Sequence, residues 1–181
     1  MKLIITRHGK TKCNLEGRMQ GRVNFPLTGI GIKEMQSRKK EIKGLDPIVF
    51  TSPLQQARES VGILFPKSKI YTNELLNQID IGELEGVRFS EVKDKFPDNK
   101  TVEYNGINFT LSKDGESFES VAKRCKDFIK YLKENFKDDQ EVAIVTHLTN
   151  IEIMKALAEN KPWHAYLGQG KKFPDLIEIE V

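Results

Sequence analysis

The chain of 181 residues is 38% hydrophobic and 30% charged, with 13 Gly and 7 Pro. That suits one domain with a core of its own and excludes a disordered or low-complexity chain. Its 29 Lys and Arg against 26 Asp and Glu leave a net charge of only +3, which excludes a strongly basic nucleic-acid binder but permits a local pocket for an anion. Cys13 and Cys125 are too few for a disulfide framework or a four-ligand zinc site. Reduced thiols are expected in preference to a single bridge.

In chain order, residues 2–6 read as a short buried strand, with an Arg-His pair directly after it. The apolar run is too short for a signal peptide, and no stretch reaches membrane-spanning length, so a cytoplasmic protein without membrane association is expected. Helical spacing over 30–42 starts after Leu27-Thr28-Gly29 and closes near Gly44. A second strand is expected over 47–51, a helix over 54–64 that stops before Pro66, and a short third strand over 69–72. The longest helix spans 117–136, with Phe118, Val121, Cys125, Phe128, Ile129 and Leu132 on one stripe. Residues 141–146 form the clearest buried strand, 151–158 a helix, and 176–181 alternate as an edge strand wet on one face.

This alternation predicts an α/β fold: a three-layer, doubly wound, mostly parallel sheet with helices on both faces, in a single domain over 1–181. Residues 86–115 fit the alternation least. They carry a short helical segment over 89–96, a Pro97-Asp98-Asn99 turn and mixed polar residues, and read as a lid-like insertion or a plain connecting excursion.

In open α/β sheets ligands bind beyond the carboxyl ends of the strands. Two of the three histidines fall there: His8 after the first strand and His147 after the strand over 141–146. Arg7 beside His8 disfavours the imidazolium, so His8 is expected to be neutral and nucleophilic. The guanidinium fork can hold a phosphoryl group while the imidazole attacks, and Gly9 is expected to let the backbone approach the anion.

The stretch Arg7-His8-Gly9-Lys10-Thr11-Lys12-Cys13-Asn14 resembles the signature of the histidine phosphatase superfamily, which includes the cofactor-dependent phosphoglycerate mutases. Further matches follow in family order: Gln20-Gly21 with Pro26-Leu27-Thr28 and Gly31, then residues 52–60 (Ser-Pro-Leu-Gln-Gln-Ala-Arg-Glu-Ser), residues 76–86, and Val145-Thr146-His147. The resemblance covers most of the chain. It implies that His8 attacks phosphorus to form a phosphohistidine, with Arg7 and His147 clamping the phosphoryl oxygens. Thr11, Asn14, Gln20, Gly21, Gln56, Gln78 and Leu148 would complete the substrate site. The implied chemistry is in-line displacement with electrostatic stabilisation, without metal or cofactor. No cluster in the sequence has metal-ligand spacing.

The chain departs from the family pattern at two positions. Gln56 stands where a second phosphate-binding arginine is usual, and Arg58, two residues on, points to another helix face. Gln78 stands where the family has its proton-donating glutamate, and an amide cannot shuttle a proton. Asp80, Glu83 and Glu85 are the neighbouring carboxylates. Lys10 and Leu148 are lesser departures, from an acidic or amide residue and from glycine.

The reading is a phosphatase acting on a small phosphorylated metabolite. A non-catalytic phospholigand-binding or interaction protein is the alternative, and a mutase-like phosphotransferase the further one. The length favours phosphatase over mutase. Trp163 and His164 are expected to pack or to line the C-terminal loop, Cys13 to fill space, and Arg38-Lys39-Lys40 and Lys171-Lys172 to be solvated basic clusters.

Overall fold

The computed structural model describes residues 1–170 and 176–181. Five strands form the central sheet: β1 (Lys2–Arg7), β2 (Ile48–Thr51), β3 (Ile70–Thr72), β6 (Glu141–Thr146) and β7 (Leu176–Glu180), in the order β3-β2-β6-β1-β7. All neighbouring pairs are parallel except β1 with β7. The sheet is therefore mostly parallel, with an antiparallel edge. The alternation of β7 has a direct cause, since Ile177 and Ile179 are buried while Glu178 and Glu180 face solvent.

Alternate side chains of each strand point to opposite faces, and the core divides accordingly. Leu3, Ile5, Phe50, Val142 and Ile144 pack with α5 (Phe118–Asn135) and α6 (Leu148–Ala158) on one face. Ile4, Val49, Ala143 and Val145 pack with α2 (Gly29–Glu41) and α3 (Gln55–Leu64) on the other. This is the expected three-layer α/β arrangement. The α5 stripe is buried as read, Ile129 being partly so, and Phe128 meets Phe50 edge-on at 5.5 Å. Cys13 and Cys125 are both free and buried.

Three features differ from expectation. A short α1 (Lys12–Glu16) follows Thr11, whose side chain caps it in a reciprocal capping box with Asn14. The helix after His147 opens at Leu148, three residues earlier than its apolar run begins, with His147 as the N-cap residue. Within 86–115, the short α4 (Val92–Lys95) and the 97–98 turn are present, but the mixed polar residues form a hairpin, β4 (Thr101–Tyr104) with β5 (Ile107–Thr110). Its two-residue turn holds Asn105 at φ 55° and Gly106 at φ 75°, the backbone that suits the right-handed twist of paired strands. Trp163 and His164 pack against this hairpin, with ring centroids 5.3 and 5.4 Å from Tyr104. Lys171 and Lys172 lie outside the described residues.

Candidate active site

The pairing of β1 with β6 brings the two histidines together. The strands run parallel with Arg7 opposite Thr146, so the residues that follow, His8 and His147, leave the sheet side by side. The amide of His8 donates to the Thr146 carbonyl at 3.1 Å, and the two rings lie 5.1 Å apart, edge to face. Both are buried, at 7% and 1% exposure.

Hydrogen bonds fix the proton on each ring. His8 Nδ1 lies 2.8 Å from the Gly9 carbonyl oxygen. A carbonyl only accepts, so Nδ1 carries the hydrogen and Nε2 keeps its lone pair. Burial first, and the Arg7 charge second, hold the His8 pKa down to about 3. His8 is therefore a neutral imidazole with its lone pair on Nε2. His147 Nε2 lies 3.0 Å from Ser52 Oγ, whose own proton goes to Asn77 Oδ1 at 3.2 Å. His147 therefore donates to the serine. Its Nδ1 has no partner, and burial, His8 and Arg7 keep its pKa well below 6.5.

These groups wall a cavity of about 450 Å³. Arg7, Asn14, Gln20, Gln56, Gln78 and Leu148 line it along with both histidines. Gln56 is completely buried, and neither its Oε1 nor its Nε2 meets a partner. Gln20 Oε1 accepts from Thr11 Oγ1 at 2.6 Å, which leaves Gln20 Nε2 buried and unpartnered. Apart from Asn150 Oδ1, every such orphaned atom among the described residues belongs to Gln20, Gln56 or His147. Unpaired buried polar groups are costly and rare, so their convergence on one cavity marks a ligand site. The start of α6 adds its positive end, with Leu148 and Thr149 on the wall and no side chain capping the helix.

Two expected substrate contacts lie elsewhere. Thr11 is fully buried and off the cavity wall, its hydroxyl spent on capping α1 and orienting Gln20. Gly21 is also off the wall, and its amide donates to Glu85 Oε2 at 3.1 Å. Gly9 has a packing reason rather than an anion-binding one. A Cβ there would sit 2.6 Å from the Gly31 carbonyl oxygen, and its amide donates to Ser60 Oγ. Arg38 is not a solvated charge: its Nη1 donates to Thr6 Oγ1 at 2.9 Å and to the Arg7 carbonyl at 2.8 Å, bracing the end of β1. Arg58 is exposed and absent from the cavity, and Lys10 pairs with Glu34 at the surface. Gln78 lines the cavity with its Oε1 turned back onto the Ile79 amide.

Glu152 was not among the expected residues. It is 3% exposed and lines the cavity from α6. The signal available in the sequence is a lone carboxylate inside the apolar run Ile151-Glu152-Ile153-Met154. Of the other nearby carboxylates, Glu85 is occupied by the Gly21 and Val23 amides and Glu83 by Asn99.

Known proteins are similar to this chain over most of its length. A phosphatase named for adenosylcobalamin and alpha-ribazole, from Escherichia coli (strain K12), is 25% identical over 177 residues, covering 94% of this chain and 87% of its own. A 2,3-bisphosphoglycerate-dependent phosphoglycerate mutase from Cytophaga hutchinsonii is 29% identical over 154 residues, covering 80% and 71%. The solved structure of Bacillus stearothermophilus YhfR superposes with a TM-score of 0.82 at 25% identity, covering 99% of this chain and 91% of that one. The family model described as histidine phosphatase superfamily (branch 1) matches residues 3–170, and the chain belongs to that family.

Proposed function

We propose that the chain is a cytoplasmic phosphatase that hydrolyses a small phosphate monoester through a phosphohistidine on His8. The observation that carries this reading is the bare, neutral His8 Nε2 in a buried cavity where Gln20 Nε2, Gln56 Nε2 and His147 Nδ1 have no other partner. Nε2 attacks phosphorus in line with the ester oxygen. The Arg7 guanidinium and the amides of Gln20 and Gln56 hold the non-bridging oxygens, and the phosphoryl charge draws a proton onto His147 Nδ1 so that it donates as well. Ser52 keeps the His147 ring in register throughout. Water then attacks the phosphohistidine and returns the electron pair to Nε2.

Gln56 makes the site one charge poorer than the family pattern, so turnover is slow. In this reading the hairpin acts as the cover of the site. Ile107 and Phe109 of β5, with Leu111, line the cavity, while Asn105 Nδ2 ties the hairpin tip to the carbonyls of His164 and Leu167.

Assay of p-nitrophenyl phosphate and a panel of small phosphate monoesters tests the reading, alongside acid-labile phosphohistidine trapping from labelled substrate. Wild type is expected to turn over and to trap label, and His8→Ala to do neither. Turnover that survives His8→Ala would sink the proposed nucleophile. The neutral pair Gln56 and Gln78 favours a second reading, a phospholigand-binding protein without turnover. That reading holds if wild type is inert while the double change Gln56→Arg/Gln78→Glu gains activity. A mutase-like phosphotransferase would instead pass the label to an acceptor hydroxyl faster than to water.

A further inference from the structure

Breaking a phosphate monoester with a poor leaving group needs a proton on the departing oxygen, and Gln78 cannot give one. Among the described residues three carboxylates line the cavity: Asp80, Glu116 and Glu152. Asp80 is 40% exposed, stands 3.7 Å from Arg22, and accepts the Gly82 amide. Glu116 bonds Arg124 through Nε at 2.8 Å and Nη2 at 3.1 Å, with Arg22 at 3.4 Å. Burial pushes Glu116 up, but Arg124 outweighs it and leaves the group below its ordinary 4.5. Both are thus paired with cations, and for Glu116 that favours the carboxylate over the acid.

Glu152 differs. It makes no ion pair among the described residues and is nearly sealed from solvent. Among the described residues the amides of Gly168 at 3.4 Å and Gly170 at 3.3 Å donate to it, both longer than a well-formed N–H···O bond, and the Gln169 backbone adds a smaller pull of the same sign. Burial lifts it to about 7, against the smaller pull of those amides and of Arg7. A buried carboxyl with no ion-pair partner among the described residues, on the wall of a nucleophile's cavity, is an arrangement that keeps an acid protonated near neutrality.

We propose that Glu152 is the proton donor to the leaving-group oxygen, taking the role that Gln78 cannot fill. The inference rests on the phosphohistidine reading above. In the first step the His8 Nε2 lone pair forms the N–P bond and the P–O ester bond breaks. Its electron pair goes to the departing oxygen, which takes the Glu152 proton and leaves as an alcohol. In the second step the Glu152 carboxylate takes a proton from water as the water oxygen bonds phosphorus. The P–N bond breaks back to Nε2, giving inorganic phosphate and restoring both residues.

The test uses aryl phosphates of graded leaving-group quality, from p-nitrophenyl to phenyl phosphate, plus an aminoalkyl phosphate, with wild type, Glu152→Gln and the double change Gln78→Glu/Glu152→Gln. Comparing substrates within one preparation cancels any difference in folded fraction. Wild type is expected to depend weakly on the leaving group. Glu152→Gln is expected to lose on the order of 10²-fold or more on phenyl phosphate but to stay within roughly tenfold on p-nitrophenyl phosphate. Adding Glu at position 78 is expected to restore part of the phenyl phosphate loss. An equal loss on all substrates, no loss, or a wild type already as leaving-group-dependent as the variant overturns the assignment. So does a loss confined to the aminoalkyl phosphate, which would make Glu152 an ammonium-recognising group. If wild type turns over no substrate and traps no label, the phosphohistidine reading itself fails and takes this inference with it.

Discussion

Replacing Glu152 with Gln should change the pH dependence of stability whatever the enzyme turns over. Between pH 4.5 and about 7 the native state keeps a proton on Glu152 that the unfolded chain releases. Unfolding therefore becomes easier as pH rises through that window, and above it the native state carries the full burden of a buried carboxylate. A displacement from 4.5 to about 7 corresponds to about 3 kcal/mol, present above the upper value and absent below the lower one. Gln has the same shape and no charge. It can accept from only one of the Gly168 and Gly170 amides, which costs about 1 kcal/mol at every pH. Glu152→Gln should thus be slightly less stable than wild type near pH 4.5 and more stable by about 2 kcal/mol at about pH 8. His8 and His147 work the other way: their depressed pKa values give stability that is present above 6.5 and lost as pH falls. They occur in both proteins and cancel in the difference. Urea unfolding of the two proteins in phosphate-free buffer at a series of pH values measures it. A difference that stays flat, or that turns against the variant as pH rises, would refute the account, and the second result would show that the native state stabilises the ionised carboxylate.

Gln56→Leu removes two buried polar atoms that lack partners, so it should raise the stability of the ligand-free protein by about 1 kcal/mol while weakening inorganic phosphate binding, read as a smaller thermal shift on adding phosphate. Gly31→Ala puts a Cβ 2.3 Å from the Lys10 carbonyl oxygen and 2.7 Å from its amide nitrogen, a clash with backbone that should cost more than about 2 kcal/mol. Gly29→Ala, two residues earlier with nothing within 4 Å of the new atom, should be neutral or mildly stabilising by the same thermal melt. Phe128→Ala empties a fully buried position against Phe50 and should cost about 3–5 kcal/mol in denaturant unfolding.

Most of the fold was legible because its signals are local. Continuous apolar runs gave β1, β2 and β6, and a 3.6-residue stripe gave α5. The elements missed were those whose evidence is short or stereochemical. At five residues, α1 is too brief for any apolar period, and only the reciprocal bonds of Thr11 and Asn14 announce it. The β4–β5 hairpin had a usable signal in Asn105-Gly106 between Val102-Glu103-Tyr104 and Ile107-Asn108-Phe109, the turn chemistry that types a two-residue hairpin. Polar alternation on a partly exposed hairpin hides it from a reading by hydrophobicity. The start of α6 lies before its expected place for a related reason. Helix formation there begins at the cavity-lining residues after His147, before the apolar face that advertises it.

The two histidines could be placed from the sequence because each ends a recognisable strand, and parallel pairing in register does the rest. Glu152 could not, although it stands only five residues beyond His147. Within α6 it reads as helix interior, and nothing near it in sequence says which way it faces or what covers it. Its character comes from Gly168 and Gly170, which fold back over α6 and supply two long amide bonds but no cation. The same carboxylate beside a guanidinium, as with Glu116 and Arg124, becomes a fixed anion that braces α5 against the preceding loop. The residue type is equal in the two cases and the cavity is shared, so the difference between brace and candidate acid lies in one neighbouring charge. That neighbour is set by tertiary contacts between segments far apart in the chain, which is why a motif can point to the proposed nucleophile while leaving the proton unassigned.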